Sequence, residues 1–163
     1  MVAKSTKRAA TKSATTKKGT KARSSAEKKQ TDRFYVQKSK HRLFQQLSAR
    51  DSGPLEQMKD VFLLAAAVGY RKGLRRPIED ERQHVGFWHY FSEARDVPLL
   101  QCIAIAETRD VAVMGDRNTI VEIAQEYANG GIDLLADMMH EDRDATLVAM
   151  ATAILDMTAD LEP

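Results

Sequence analysis

The sequence predicts a mainly α fold: a compact bundle of about five to seven helices behind a disordered basic N-terminal tail. Three observations lead there. Apolar residues recur at helical spacing in segment after segment. Residues 1–30 contain no large apolar side chain after Val2. No segment alternates convincingly with a period of two; Val111–Met114 comes nearest and suits a short extended piece. The expected division is a tail over residues 1–30 and a helical domain over 31–163, basic over 31–78 and acidic over 79–163.

The tail reads MVAKSTKRAATKSATTKKGTKARSSAEKKQ, with ten Lys/Arg against the single acid Glu27. Lys, Ser, Thr and Ala cannot bury enough surface to offset the roughly 1–2 kcal/mol per residue that ordering a backbone costs. The formal charge of +2 conceals a strong asymmetry. Residues 1–30 carry +9, residues 31–82 carry +4, and residues 83–163 carry −11. Such polarity points to a polyanionic partner for the basic end. The tail reads either as an arm for nucleic acid or as a solubilising leader.

The helices follow in order. In KHRLFQQLSA, Leu43, Phe44 and Leu47 suit a short amphipathic helix. RDSGP breaks it, and Pro54 fits the first turn of the next. That helix is expected from Leu55 to Lys72 with Gly73 as its C-cap. Its apolar residues cover every face, which marks it as the centre of the bundle. His84–Phe91 (HVGFWHYF) forms an aromatic hub. Pro98 opens a further helix, with Leu99, Ile103 and Ala106 inward. Thr119 and Glu122 match a capping box, followed by Ile120, Ile123, Ala124 and Tyr127 on one face. Gly130-Gly131 is expected to stop that helix, and IDLLADMM to form another. Asp144 can cap a last one, with Leu147, Ala151 and Ile154 inward.

Catalytic signatures are scarce. There is no phosphate-binding loop, dinucleotide fingerprint or serine-hydrolase elbow. No lysine follows Lys72, so a nuclease needing a lysine beside paired acids fits poorly. The single cysteine, Cys102, excludes an internal disulfide framework and a multi-cysteine zinc site, and beside Ile103 it reads as an inert core thiol. Glu81, His84, His89 and Glu93 are the best metal candidates. On one helix the two histidines would stand about 140° apart, so packing around Trp88 and Tyr90 is the better reading. Glu122 and Glu126 would share a helix face, more plausibly solvated than catalytic. No metal, no cofactor and no enzymatic activity is expected. No apolar run approaches the roughly 20 residues of a membrane span, and the basic N-terminus lacks the apolar stretch of a signal peptide, so a cytoplasmic protein is expected.

One stretch stands apart. Val61–Tyr70 is uncharged, and then come Arg71, Lys72, Arg75 and Arg76. Cations at a helix C-terminus complement its dipole by about 0.3–1 kcal/mol each. Four within six residues exceed that need. They suit phosphate contacts, or docking against the acidic half of a neighbouring copy.

KDVFLLAAAVGYRKGLRRPI, followed some fifty residues later by EIAQEYANGGIDLL, resembles the Dnd-system-associated protein 4 family. Such proteins are encoded beside bacterial DNA phosphorothioation genes and in related defence islands. The shared features are Gly69-Tyr70-Arg71, the turn closing in Pro77-Ile78, and the helix end Glu126–Gly131. The resemblance spans about residues 55–140 and leaves the tail outside. It implies an accessory to DNA modification or restriction in antiviral defence, without implying an activity. The expectation is a non-enzymatic DNA-binding accessory. Phosphate contacts would come from Lys17, Lys18, Lys21, Arg23, Lys28 and Lys29 in the tail and from Arg71, Lys72, Arg75 and Arg76 in the fold. Another protein of the same system would be a partner, and self-association is open. The alternative is an adaptor or inhibitory subunit acting through the acidic C-terminal half.

Overall fold

A computed structural model describes residues 30–50, 53–79 and 81–159. Among these residues there are five α-helices and one two-stranded antiparallel sheet, so the mainly α reading holds. The elements are β1 (Arg33–Gln37), α1 (His41–Leu47), α2 (Met58–Arg71), β2 (Arg82–Phe87), α3 (Asp96–Thr108), α4 (Arg117–Asp137) and α5 (Arg143–Ala159). Single turns of 3₁₀ helix lie at Lys38–Lys40, Trp88–Tyr90 and Val111–Gly115. The last of these takes the place of the extended piece expected there.

The strands correct the helix-only reading. RFYVQ does alternate: Phe34 and Val36 are fully buried, while Arg33, Tyr35 and Gln37 face outward. In β2 the pattern is blurred because a bulge opposite Phe34/Tyr35 shifts the register by one residue. The paired residues are Arg33 with Phe87, Phe34 with Gly86, Tyr35 with His84, and Gln37 with Arg82. The inner face carries Phe34 into an aromatic core, with its ring 5.1 Å from Phe62 and 4.4 Å from Phe91. The free edge of β1 is tied to α4: Tyr35 N–H donates to Gln125 Oε1 at 2.6 Å, and Thr31 N–H to Asn118 Oδ1 at 2.7 Å.

The centre of the bundle is α2, as its all-round apolarity predicts. Val61, Phe62, Ala65 and Ala66 are fully buried, and burying Val61 and Phe62 contributes roughly 1.5–3 kcal/mol each. The helix begins at Met58, three residues later than expected, and Gly73 follows its end with φ +66°, a left-handed position that costs glycine nothing. Against it lies α4, which does not stop at Gly130-Gly131 but continues to Asp137. The glycines serve close approach here. A Cβ at Gly131 would stand 2.0 Å from the Ala65 carbonyl oxygen, one at Gly130 would stand 1.9 Å from that of Leu74, and one on Gly69 of α2 would stand 2.2 Å from that of Tyr127. The two backbones meet where side chains are absent. The helix starts one turn earlier than the expected capping box: Asp116, rather than Thr119, accepts from the Asn118 and Thr119 N–H groups.

Inward positions also differ from expectation in α3 and α5. In α3, Val97, Leu100, Ile103 and Ala104 are buried, while Leu99, Ala106 and Cys102 are exposed, so Cys102 is not a core thiol. In α5 the inward residues are Thr146 and Met150, whereas Leu147, Ala151 and Ile154 face outward. The rotation follows from the cap. Asp142 Oδ2, rather than Asp144, accepts from the Ala145 N–H at 2.9 Å, and Thr146 Oγ1 is held against the His140 backbone. Among the described residues, no helix is long and apolar enough to cross a membrane.

Candidate functional site

The two stretches that stood out in the sequence meet in space. The turn after α2 lies along α4, and Arg75, Arg76 and Pro77 of the turn find hydrogen-bond partners there. Arg75 Nε donates to Glu126 Oε2 and its Nη1 to Glu107 Oε1, both at 2.6 Å. Arg76 donates from its backbone N–H to the Glu126 carbonyl at 3.0 Å, and from Nη1 to Asp133 Oδ2 at 3.1 Å. Asn129, almost fully buried, donates from Nδ2 to the carbonyls of Arg76 and Pro77, at 3.2 and 3.1 Å. Lys40 Nζ joins from the other side, reaching the Asn129 carbonyl at 2.6 Å and Asp133 at 2.7 Å. Arg71 donates from Nε and Nη2 to the Met157 carbonyl, holding the last turn of α5.

Of the four expected phosphate-contacting cations in the fold, Arg71, Arg75 and Arg76 therefore have acceptors within the chain. The acidic partners lie on the chain's own α3 and α4. Lys72 is exposed, and its side chain makes no hydrogen bond or ion pair among the described residues. The six tail cations, Lys17, Lys18, Lys21, Arg23, Lys28 and Lys29, lie outside the described residues.

The same interlock sets two unusual titrations. Tyr127 Oη donates to Glu107 Oε2. Burial, then the hydrogen bond to Glu107, pushes the Tyr127 phenol up to about 12. The hydrogen bond from Tyr127, then that from Arg75, holds the Glu107 carboxyl below its ordinary value. Glu126 is thus engaged by Arg75, while Glu122, one turn earlier, is exposed. The two do not form an acid/base pair.

The metal candidates do not converge. His84 lies in β2 and His89 in a 3₁₀ turn, with the Phe87 ring between them, 4.5 Å from His84 and 5.4 Å from His89. Among the described residues, no group of three or more His, Cys, Asp or Glu side chains is placed to hold a metal ion.

What the histidines do form is an aromatic stripe. Tyr35, His84, Phe87, His89 and Tyr90 succeed one another with centroid separations of 5.9, 4.5, 5.4 and 4.5 Å. Tyr90 also meets Phe87 edge-on at 5.5 Å. The first three rings lie on the outer face of the sheet, which also carries the exposed Arg33 and Arg82. The Arg33 guanidinium sits 5.7 Å above the Phe87 ring. At the Tyr35 end the stripe opens into a groove of about 310 Å³, lined by Thr31, Arg33, Arg82 and the α4 residues Glu122 and Gln125. Beyond His89 and Tyr90 lies a second groove of about 500 Å³, with Lys59, Arg95 and Asp96 on its walls. The stripe escapes a sequence reading that takes His84–Phe91 as one aromatic hub of a helical bundle. The signal that marks it is the alternation of RFYVQ.

A family model described as DNA sulphur modification system-associated protein 4 matches residues 33–160. The chain belongs to this family. Members are thereby associated with a DNA sulphur modification system, and the match extends beyond the resemblance at both ends, taking in β1 and α5. The two stretches on which the sequence resemblance rests are the two sides of the α2–α4 interlock. No curated protein and no solved structure is found to match the chain.

Proposed function

We propose that this protein is a non-enzymatic DNA-binding accessory of a bacterial DNA modification and restriction system, acting in the cytoplasm in defence against phage. The observation that carries the reading is a juxtaposition. A segment with ten Lys/Arg runs directly into β1, whose outer face presents Arg33 opposite Phe87 and lies beside Arg82. Lys17, Lys18, Lys21, Arg23, Lys28 and Lys29 neutralise phosphates along the backbone. Lys72 adds a contact from the fold, presented by the loop that Arg71, Arg75 and Arg76 pin in place. Contacts of this kind give affinity with little sequence preference and a steep dependence on salt. The test is a salt titration of duplex binding, comparing the full chain with one beginning at Gln30. Each phosphate contact contributes about 0.9 to the logarithmic slope, so the slope falls on truncation and stays above zero. Absence of binding by both chains refutes the reading.

A second reading is favoured by a specific feature of α5. Val148 and Leu155 are 65% and 68% exposed on the same side as Ala151, with Leu147 and Ile154 beside them. An apolar stripe on an acidic half suits an adaptor that docks another protein of the same system. Replacing Val148 and Leu155 by Ser abolishes capture of that partner under the second reading and leaves DNA binding unchanged under the first.

A further inference from the structure

We propose that the outer face of the β1–β2 ribbon is a stacking platform for unpaired bases, and that the form of DNA it selects is single-stranded. This rests on the DNA-binding reading above and narrows it to a substrate class.

The argument begins with what the rings are doing. Aromatic side chains in a protein of this size normally bury their faces, and Phe34, Phe62 and Phe91 do so. Tyr35, His84 and Phe87 lie half-buried on the opposite side of the sheet from that core, and His89 and Tyr90 continue the stripe in the 3₁₀ turn that follows β2. Its rings contact each other, and its far end is open: Tyr90 is 54% exposed and His89 is exposed. The stripe also has direction, because it joins one groove at Tyr35 to another at His89 and Tyr90. A polymer fits such a track better than a compact ligand does.

The charges decide which polymer. Each end of the track carries exposed arginines: Arg33 and Arg82 at one, beside Glu122 and Glu126, and Arg95 at the other, where Lys59 is paired with Asp60 and Asp96. Thr31, two residues before β1, is part of the groove wall at the first end. Rings interleaved with cations fit a chain that alternates flat apolar faces with anions. Single-stranded nucleic acid is such a chain, with bases for the rings and phosphates for Arg33, Arg82 and Arg95. A duplex buries its base faces between neighbouring pairs and offers only edges and phosphates. Stacking is tolerant of sequence, because every base has a π-face.

The test uses the full chain. One mixed-sequence fluorescent oligonucleotide is presented as a single strand and as a duplex, at the same salt concentration. The single strand is expected to bind at least tenfold more tightly. Tyr90→Ala combined with His89→Ala is expected to weaken single-strand binding by about fivefold to a hundredfold, the worth of one stacked base, and to leave duplex binding within twofold. Both residues are exposed, so the melting temperature should not move; Tyr90→Trp, which keeps a ring, should retain binding. Equal affinity for the two forms, or a double variant that binds the single strand normally, overturns this proposal while the DNA-binding reading stands. Failure of both forms to bind removes the two together.

Discussion

Replacing Gly131 by Ala tests the α2–α4 interlock most directly. In an isolated helix the change is favourable, because Ala exceeds Gly by about 1 kcal/mol in an interior position. Here the added Cβ would stand 2.0 Å from the Ala65 carbonyl oxygen and 2.7 Å from the Gly69 nitrogen. Both obstacles are backbone, so no side chain can swing away. Reaching an ordinary contact of roughly 3.4 Å requires the helices to part by more than an ångström at their crossing, against close-packed surroundings. Overpacking costs typically 1–3 kcal/mol, and a rigid backbone obstacle places this site at or above the upper end. The net expectation is a loss of about 2 kcal/mol, or about 6–10 °C in melting temperature for a domain of this size. Thermal unfolding followed by circular dichroism measures it. Gly115→Ala is the control, because nothing lies within 4 Å of a Cβ there; it should shift the midpoint by less than the equivalent of about 0.5 kcal/mol. A Gly131→Ala midpoint at or above the native value would show that helix propensity outweighs contact, and that the two backbones do not meet as described.

Two further predictions concern the same region. Tyr127 is raised in the folded state, so the protonated phenol stabilises the fold fully below its unfolded value of 10.0, and that contribution is lost as pH rises toward about 12. Ultraviolet titration should show one tyrosine ionising well after the others, and Tyr127→Phe should abolish that late step and cost about 1–2 kcal/mol; four tyrosines titrating together would contradict the Glu107 contact. The basic turn should divide by residue. Arg75→Glu faces Glu107 and Glu126 with a third carboxylate and should cost about 1–3 kcal/mol, discounted because the group is partly exposed. Lys72→Glu should leave stability within about 0.5 kcal/mol while lowering the salt slope of DNA binding. Equal stability losses for the two would mean that Lys72 is also structural.

How far the sequence reaches can be judged element by element. The centrality of α2 was legible because an all-round apolar helix has one stable location. The short helix at Leu43–Leu47 and the break before Gly73 were legible from local rules of the same kind. Gly130-Gly131 was misread because local rules give a glycine pair one meaning, termination, whereas a neighbouring backbone gives it another. Val61–Tyr70 and Glu126–Gly131 each looked like an independent feature, since nothing in one dimension states that they touch. The strands were missed because five and six residues with a bulge barely show a period of two. The candidate site inherits that miss: its rings come from two strands and a turn that only pairing brings side by side.

By itself, then, the sequence determined the helical class, the apolar core of α2, the segregation of charge and the lack of a recognisable catalytic motif. Each of these is a property of composition or of near-neighbour spacing, which survives whatever the chain does at long range. Tertiary structure alone decided which cations are free. Arg71, Lys72, Arg75 and Arg76 are alike in charge and close in sequence. The first is taken by a carbonyl eighty-six residues away, and Arg75 and Arg76 by carboxylates of α3 and α4. The Lys72 side chain is exposed and has no such partner among the described residues. Pairing a charge depends on where an opposite charge is delivered, and that is settled only when helices pack.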